Sequence, residues 1–180
     1  MREGSFKMKL TIPITKEKLA GLKAGDAIEI TGTIYTARDA AHKRMNEMLE
    51  RAEELPFDIK DAVIYYVGPT PAAPNHVFGS AGPTTSMRMD AYAPRLYDLG
   101  LSVSIGKGYR TQAVVDAIKR NHAAYMVAIG GAGALLSQCI KKAELVAFEE
   151  LGPEAVYRLE VVDFPVTLAI DGEGHNLYEE

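Results

Sequence analysis

The chain carries a single cysteine, Cys139, in 180 residues. One thiol closes no internal disulfide, and alone it holds neither a zinc ion nor an iron–sulfur cluster. The four histidines, His42, His76, His122 and His175, are scattered and lack the spacing of a metal-binding motif such as HExxH. Any metal in the chemistry is therefore expected to come from another chain. A basic excess is also missing. Lys and Arg number 20 against 24 Asp and Glu, and the resulting charge of −4 argues against a nucleic-acid partner. No apolar run is long enough to cross a bilayer, so no membrane partner is expected. The opening MREGSFKMKL has charges and no apolar signal core, which gives the cytoplasm as the expected location. Residues 1–6 read as a disordered start or a cloning remnant and are assigned no function.

What is present has the balance of a folded domain. A composition of 47% hydrophobic and 24% charged residues is globular, and the length fits one domain over 1–180. KMKLTIPI (Lys7–Ile14) alternates as a strand. AIEITGTIYT (Ala27–Thr36) is rich in β-branched residues and is a second strand. Asp39–Leu55 changes to a helical period, with Pro56 just beyond it. AVIYYV (Ala62–Val67) is a continuous apolar run, as in a buried strand. GPTPAAPN is a proline-rich loop. The spacing predicts a helix over Met87–Leu99, bent or broken at Pro94 and stopped by Gly100. Ser102–Ile105 reads as a strand, Gln112–Arg120 as a helix and Tyr125–Ile129 as a strand. A glycine turn then leads into a helix through SQCIKK, on which Cys139 is expected as a buried, inert thiol. Leu145–Phe148 reads as a strand, and Val156–Val162 and Val166–Ile170 as a β pair split at Pro165. The pattern gives a layered α/β fold with a mixed sheet.

Three polar clusters follow predicted strands, where ligands bind in open α/β sheets. GPTTSMRMD (Gly82–Asp90) has the clearest logic. Pro83 suits a helix start, and Thr84, Thr85 and Ser86 fall on its first turn or cap it. Free N–H groups and hydroxyls there attract an anion, and the Arg88 fork matches a carboxylate. The same residues also spell an ordinary helix cap with a surface arginine. In TARDAAHKR (Thr36–Arg44), Arg38 precedes a helix for which Asp39 reads as the N-cap. His42, one turn in, has a structural or solvated role as its ordinary reading, and Lys43 and Arg44 read as solvated charges. GKG (Gly106–Gly108) flanks Lys107 with glycines that let backbone approach a ligand. Tyr109 follows where a P-loop needs Ser or Thr, so a P-loop is rejected. VAIGGAGALL (Val127–Leu136) imitates a dinucleotide site, but Leu136 stands where that fingerprint needs Gly or Ala. Close backbone packing or a substrate-side turn is the reading kept for it.

ITGTIYTARDAAHKR, YYVGPTPA, GSAGPTTSMRMD, IGKG and AIGGAGALL occur in the order found in β subunits of class I fumarate hydratases, and the chain resembles that family from about Ile28 to its C-terminal DGEGHNLYEE. L-tartrate dehydratase β subunits share the pattern. The resemblance implies a swivelling β/β/α domain. It also implies a two-part hydro-lyase in which an α subunit carries a [4Fe–4S] cluster and this chain, without metal ligands, closes over a small dicarboxylate. An α2β2 assembly is implied as well. Carried over to this sequence, the resemblance makes Arg38, Arg88 and Lys107 the cations that hold the carboxylates. It sets Thr84 and Thr85 against the reacting carbons, with Thr84 taking part in moving the proton. Asp39 and His42 take supporting places behind them. The implied reaction is fumarate hydration. The alternatives are an L-tartrate dehydratase β subunit, a mesaconate-type hydratase, a non-catalytic dicarboxylate-binding module, or a structural partner that shields the cluster.

Overall fold

Seven strands form one sheet among the residues described by the computed structural model, which are 8–68, 81–128 and 133–179. In chain order the strands are β1 (Met8–Thr11), β2 (Ala27–Thr36), β3 (Val63–Tyr65), β4 (Val103–Gly106), β5 (Ala124–Ala128), β6 (Ile140–Ala147) and β7 (Val156–Ile170). Between them lie helices α1 (Lys16–Leu19), α2 (Asp39–Glu50), α3 (Ala93–Asp98), α4 (Gln112–Asn121) and α5 (Gly133–Gln138). Two 3₁₀ turns occupy Ser86–Met89 and Glu149–Glu154.

The expected α/β class and mixed sheet are present, but the sheet is not open. β2, β3, β4 and β5 are parallel neighbours. β7 runs antiparallel to both β5 and β2 and so closes a five-stranded ring. β1 extends β2 in parallel beside its first half, and β6 pairs antiparallel with the first half of β7.

Side-chain alternation sorts two cores onto the two faces of the ring. Val63 and Tyr65 of β3, Val103 and Ile105 of β4, Met126 of β5 and Phe164 of β7 pack together inside it. Their neighbours Ile64, Tyr66 and Tyr125 point the other way, against Ala41 and Met45 of α2, Leu96 and Tyr97 of α3, and Val114 and Ile118 of α4.

Three elements depart from the sequence reading. Met87–Leu99 is not one helix, because the chain makes a 3₁₀ turn, breaks at Asp90–Tyr92 and restarts as α3 with Pro94 in its first turn. The helix expected through SQCIKK stops at Gln138, and Ile140 onward is β6, drawn into register with β7. Pro165 does not split the closing pair. It lies within β7 between the residues that pair with β6, ending at Val161, and those that pair with β5, starting at Val166. Pro165 pairs with Glu29 of β2 on one edge, and on the other a missing N–H is tolerated because it meets no ladder partner among the described residues.

Candidate functional site

The three polar clusters meet at one end of the ring. Arg38 follows β2, Gly68 follows β3 and Lys107 follows β4, so all three lie at the C-terminal ends of adjacent parallel strands. The segment carrying Thr84 and Thr85 returns to the same end. The Thr84 N–H donates to the Tyr66 carbonyl at 2.8 Å, and Thr85 pairs with Lys107 as an isolated parallel bridge. The Ser86 N–H donates to the Lys107 carbonyl at 2.9 Å. Arg88, on the 3₁₀ turn, reaches across to α2 and forms an ion pair with Asp39 Oδ2.

These bonds change the expected anion site. Two of the N–H groups assigned to an anion, those of Thr84 and Ser86, are taken by backbone carbonyls. Pro83 does not begin a helix, since Thr85 is still extended and the turn starts only at Ser86. What remains for a ligand is the side chains. Thr85, Arg88 and Lys107 are exposed and Thr84 is half-buried. Among the described residues the Lys107 ammonium has no hydrogen-bond or ion-pair partner.

At the first cluster, Arg38 and not Asp39 holds the N-cap position of α2, with no side-chain cap bond. The cap comes from a distant residue, because Glu154 Oε1 accepts the Ala40 N–H at 3.1 Å. Arg38 lies over Gly68, where an added Cβ would collide with its guanidinium. His42 is fully buried, and its backbone N–H and Nδ1 both lie 2.9 Å from the Arg38 carbonyl. A carbonyl only accepts, so Nδ1 carries the proton and Nε2 is left as an acceptor. Burial, the largest influence, pulls the imidazole pKa down to about 4 against the opposing bond to Arg38, so the ring is neutral at pH 7. Arg38 Nε, Asp39 Oδ1 and His42 Nε2 are buried without a hydrogen-bond partner among the described residues, and all three lie at the start of α2. Buried polar atoms are normally paired, so three together mark an unusual place.

A buried polar network behind this edge escaped the sequence reading. Arg110 is fully enclosed. Its Nε donates to Asp90 Oδ1 at 2.6 Å, Nη1 to Ser104 Oγ at 3.0 Å and Nη2 to the Tyr66 hydroxyl at 3.1 Å. Burial opposes its charge, but Tyr66, Tyr97, Asp90 and Tyr125 together raise its pKa above the ordinary guanidinium range. The one signal in the sequence is Arg110 directly after the GKGY stretch, which reads equally well as a surface charge.

The edge is open. The cavity of about 500 Å³ lined by Leu19, Leu22, His122 and Gly172 lies at the other end, where β5 begins and β7 finishes. Cys139 is half-buried just past α5, not buried within a helix. Its Sγ faces the carbonyls of Leu135 at 3.9 Å and Asp163 at 3.8 Å. An iron–sulfur cluster does not fit this donor set, which offers one thiol and, among the described residues, no grouping of three His, Cys, Asp or Glu side chains. Gly79, Ser80, most of GPTPAAPN and the Ile129–Ala132 glycine turn lie outside the described residues. Gly133, just after that turn, accepts the Ala81 N–H at 3.1 Å, which brings α5 beside the threonine segment.

Fold and site together define an α/β domain that gathers cations and hydroxyls at the ends of its parallel strands. Over residues 2–180 the chain matches the family described as Fumarase C-terminus, and it belongs to that family. It is 40% identical over 181 residues to the anaerobic class I fumarate hydratase of Escherichia coli (strain K12), covering 98% of this chain and 33% of that protein. To fumarate hydratase 2 of Leishmania major it is 38% identical over 180 residues, covering 98% of this chain and 32% of that one. A putative L(+)-tartrate dehydratase subunit beta of Methanocaldococcus jannaschii is 40% identical over 173 residues, covering 93% of this chain and 89% of that protein. The chain thus spans about a third of these fumarate hydratases, 33% and 32%, and nearly all of the tartrate dehydratase subunit.

No described helix is long and apolar enough to cross a membrane.

Proposed function

We propose that this chain is the β part of a hydro-lyase that reversibly hydrates fumarate to (S)-malate, and that its share of the work is to hold the dicarboxylate. One observation carries the reading: Arg38, Thr84, Thr85, Arg88 and Lys107 come from three separated segments to one edge of the ring, beside buried polar atoms that have no hydrogen-bond partner among the described residues. Arg38, Arg88 and Lys107 grip the two carboxylates, with the arginine forks giving direction and the lysine a point charge. The Thr84 and Thr85 hydroxyls lie against the two reacting carbons, and Thr84 takes part in moving the proton. Removing a proton beside a carboxylate builds charge on its oxygens, and preorganised cations stabilise that charge as it develops. Asp39 steadies Arg88, and His42 steadies the backbone of Arg38.

The [4Fe–4S] cluster belongs on an α subunit in this reading, in a cytoplasmic α2β2 assembly, and residues 1–180 form one swivelling β/β/α domain that is inactive alone. The tartrate dehydratase β-subunit reading stands second. It is favoured by the 40% identity to the Methanocaldococcus protein over 173 residues.

The test is fumarate hydration by the tagged chain, purified anaerobically from its own host with whatever copurifies. Turnover that requires a copurified iron–sulfur protein supports the reading. An intact complex that is inert on fumarate but dehydrates tartrate or hydrates mesaconate replaces the substrate. A chain that copurifies with nothing, yet binds fumarate, overturns the enzyme reading in favour of a binding module. In an active complex, Arg88→Ala is expected to lower kcat/KM by on the order of 2–5 kcal/mol of transition-state stabilisation. Turnover that survives this change would remove Arg88 from the site.

A further inference from the structure

Both ends of the Ser86–Met89 turn are tied to the segment that carries Lys107. At its start, Ser86 is fully buried and its Oγ lies 2.8 Å from the Tyr125 hydroxyl. The same hydroxyl lies 2.6 Å from the Gly108 carbonyl. A carbonyl only accepts, so the phenol proton goes to Gly108 and the Ser86 hydroxyl donates to Tyr125. At its end, Asp90 takes Arg110 on Oδ1 and the Thr111 N–H on Oδ2, each at 2.6 Å. Arg110 in turn lies over the Tyr125 ring, 4.6 Å from its centroid, and over Tyr66 at 5.2 Å. Ser104 Oγ accepts from Arg110 and lies 2.7 Å from the Tyr97 hydroxyl, which donates to the Ala124 carbonyl at 2.7 Å. Each of these buried groups therefore has at least one partner, and a connected buried network of this kind rigidifies what it holds.

We propose that Tyr125, locked in place by Arg110, is a positioning residue that, together with the direct Thr85–Lys107 bridge and the Ser86 N–H bond to the Lys107 carbonyl, fixes the spacing between the Thr84–Thr85–Arg88 segment and Lys107. This rests on the site reading above. Neither residue touches the edge where the ligand would lie. Tyr125 acts through Ser86, which sits between Thr85 and Arg88 in sequence, and through the carbonyl of Gly108, next to Lys107. In a domain that only folds, such a network serves stability alone; fixed spacing matters in addition when two carboxylates of fixed separation must meet cations from different segments.

The test compares the partner-assembled complex of the wild type with that carrying Tyr125→Phe, which removes one oxygen and keeps the ring under Arg110. A fall in kcat of roughly tenfold to a hundredfold is expected, with KM moving far less, because a small misplacement of reacting groups is expensive. Ser86→Ala should reproduce part of the loss, and the double variant should be no worse than Tyr125→Phe alone, since the phenylalanine already cuts both the Ser86 and the Gly108 links. Phe164→Ala, inside the ring and outside this network, is the control: it lowers stability and leaves kcat per assembled complex unchanged. Hydrogen exchange gives a second readout, with faster exchange of the 107–109 amides expected in Tyr125→Phe. A Tyr125→Phe complex whose kcat stays within about twofold of an active wild type overturns the proposal. Where the wild-type complex is inert on fumarate, tartrate and mesaconate, the functional reading has failed and exchange at 107–109 decides the brace. Acceleration supports it, and identical rates overturn it.

Discussion

Local spacing assigns Asp39 to the cap of α2, and the fold gives that place to Arg38. The exchange follows from contacts that sequence spacing does not contain: Glu154 caps the helix, which leaves the Asp39 carboxylate for Arg88. His42 shows the same logic. A lone histidine on a helix is ordinarily structural, and this one is structural in a definite way, tied to the Arg38 carbonyl and kept neutral by burial. Its folded pKa of about 4 lies below the ordinary 6.5, so the unfolded chain binds more protons between those values and stability falls as pH drops through that window. The loss attributable to His42 is about 3 kcal/mol between neutral pH and pH ~4. Urea unfolding at both pH values should show this slope in the wild type and a weaker one in His42→Asn. Equal slopes would mean that the imidazole titrates normally in the folded chain.

At the scale of elements, the site depends on how closely two loops approach. Gly106 ends β4 where the Ser86 hydroxyl sits, and a Cβ added there would overlap that oxygen and lie 2.9 Å from a Tyr66 ring carbon. Gly106→Ala is therefore expected to destabilise by roughly 1–3 kcal/mol, the usual cost of overpacking a filled site. Ser86→Gly in the same chain should recover part of that loss and not all, because the Tyr66 contact persists. Chemical unfolding of the two variants measures both. Additive effects would mean that the loops separate without strain. Much of this level was legible beforehand. β2 runs over Ala27–Thr36 as its alternation predicts, α4 begins at Gln112, and the three polar clusters do lie at strand ends. The Ser86–Met89 turn was not legible, because Thr85 pairs with Lys107 and holds back the helix that Pro83 invites.

For the molecule as a whole, closure of the ring is the decisive event, and β7 performs it. Phe164 is fully buried inside, its ring 5.2 Å from that of Tyr65 in an edge-to-face contact. Phe164→Ala is expected to cost about 3–5 kcal/mol in unfolding free energy. Val162, exposed on the same strand, should change stability by less than about 0.5 kcal/mol when replaced by Ala. Similar losses at both positions would show that β7 is held by its backbone ladder more than by the ring interior.

The sequence by itself determined most of the element types, the strand-end location of the polar clusters and the resemblance to a fumarate hydratase family. These rest on periodicity, turn residues and local motifs, which are properties of neighbours along the chain. Only the tertiary structure decided that the sheet closes, that Glu154 caps a helix 114 positions away, and that Tyr125 and Arg110 bind the two cationic segments together. Those outcomes depend on strand register and on which side chains face each other across the core. A tyrosine in an apolar run and an arginine after a glycine loop carry no mark of that meeting until the ring brings them together.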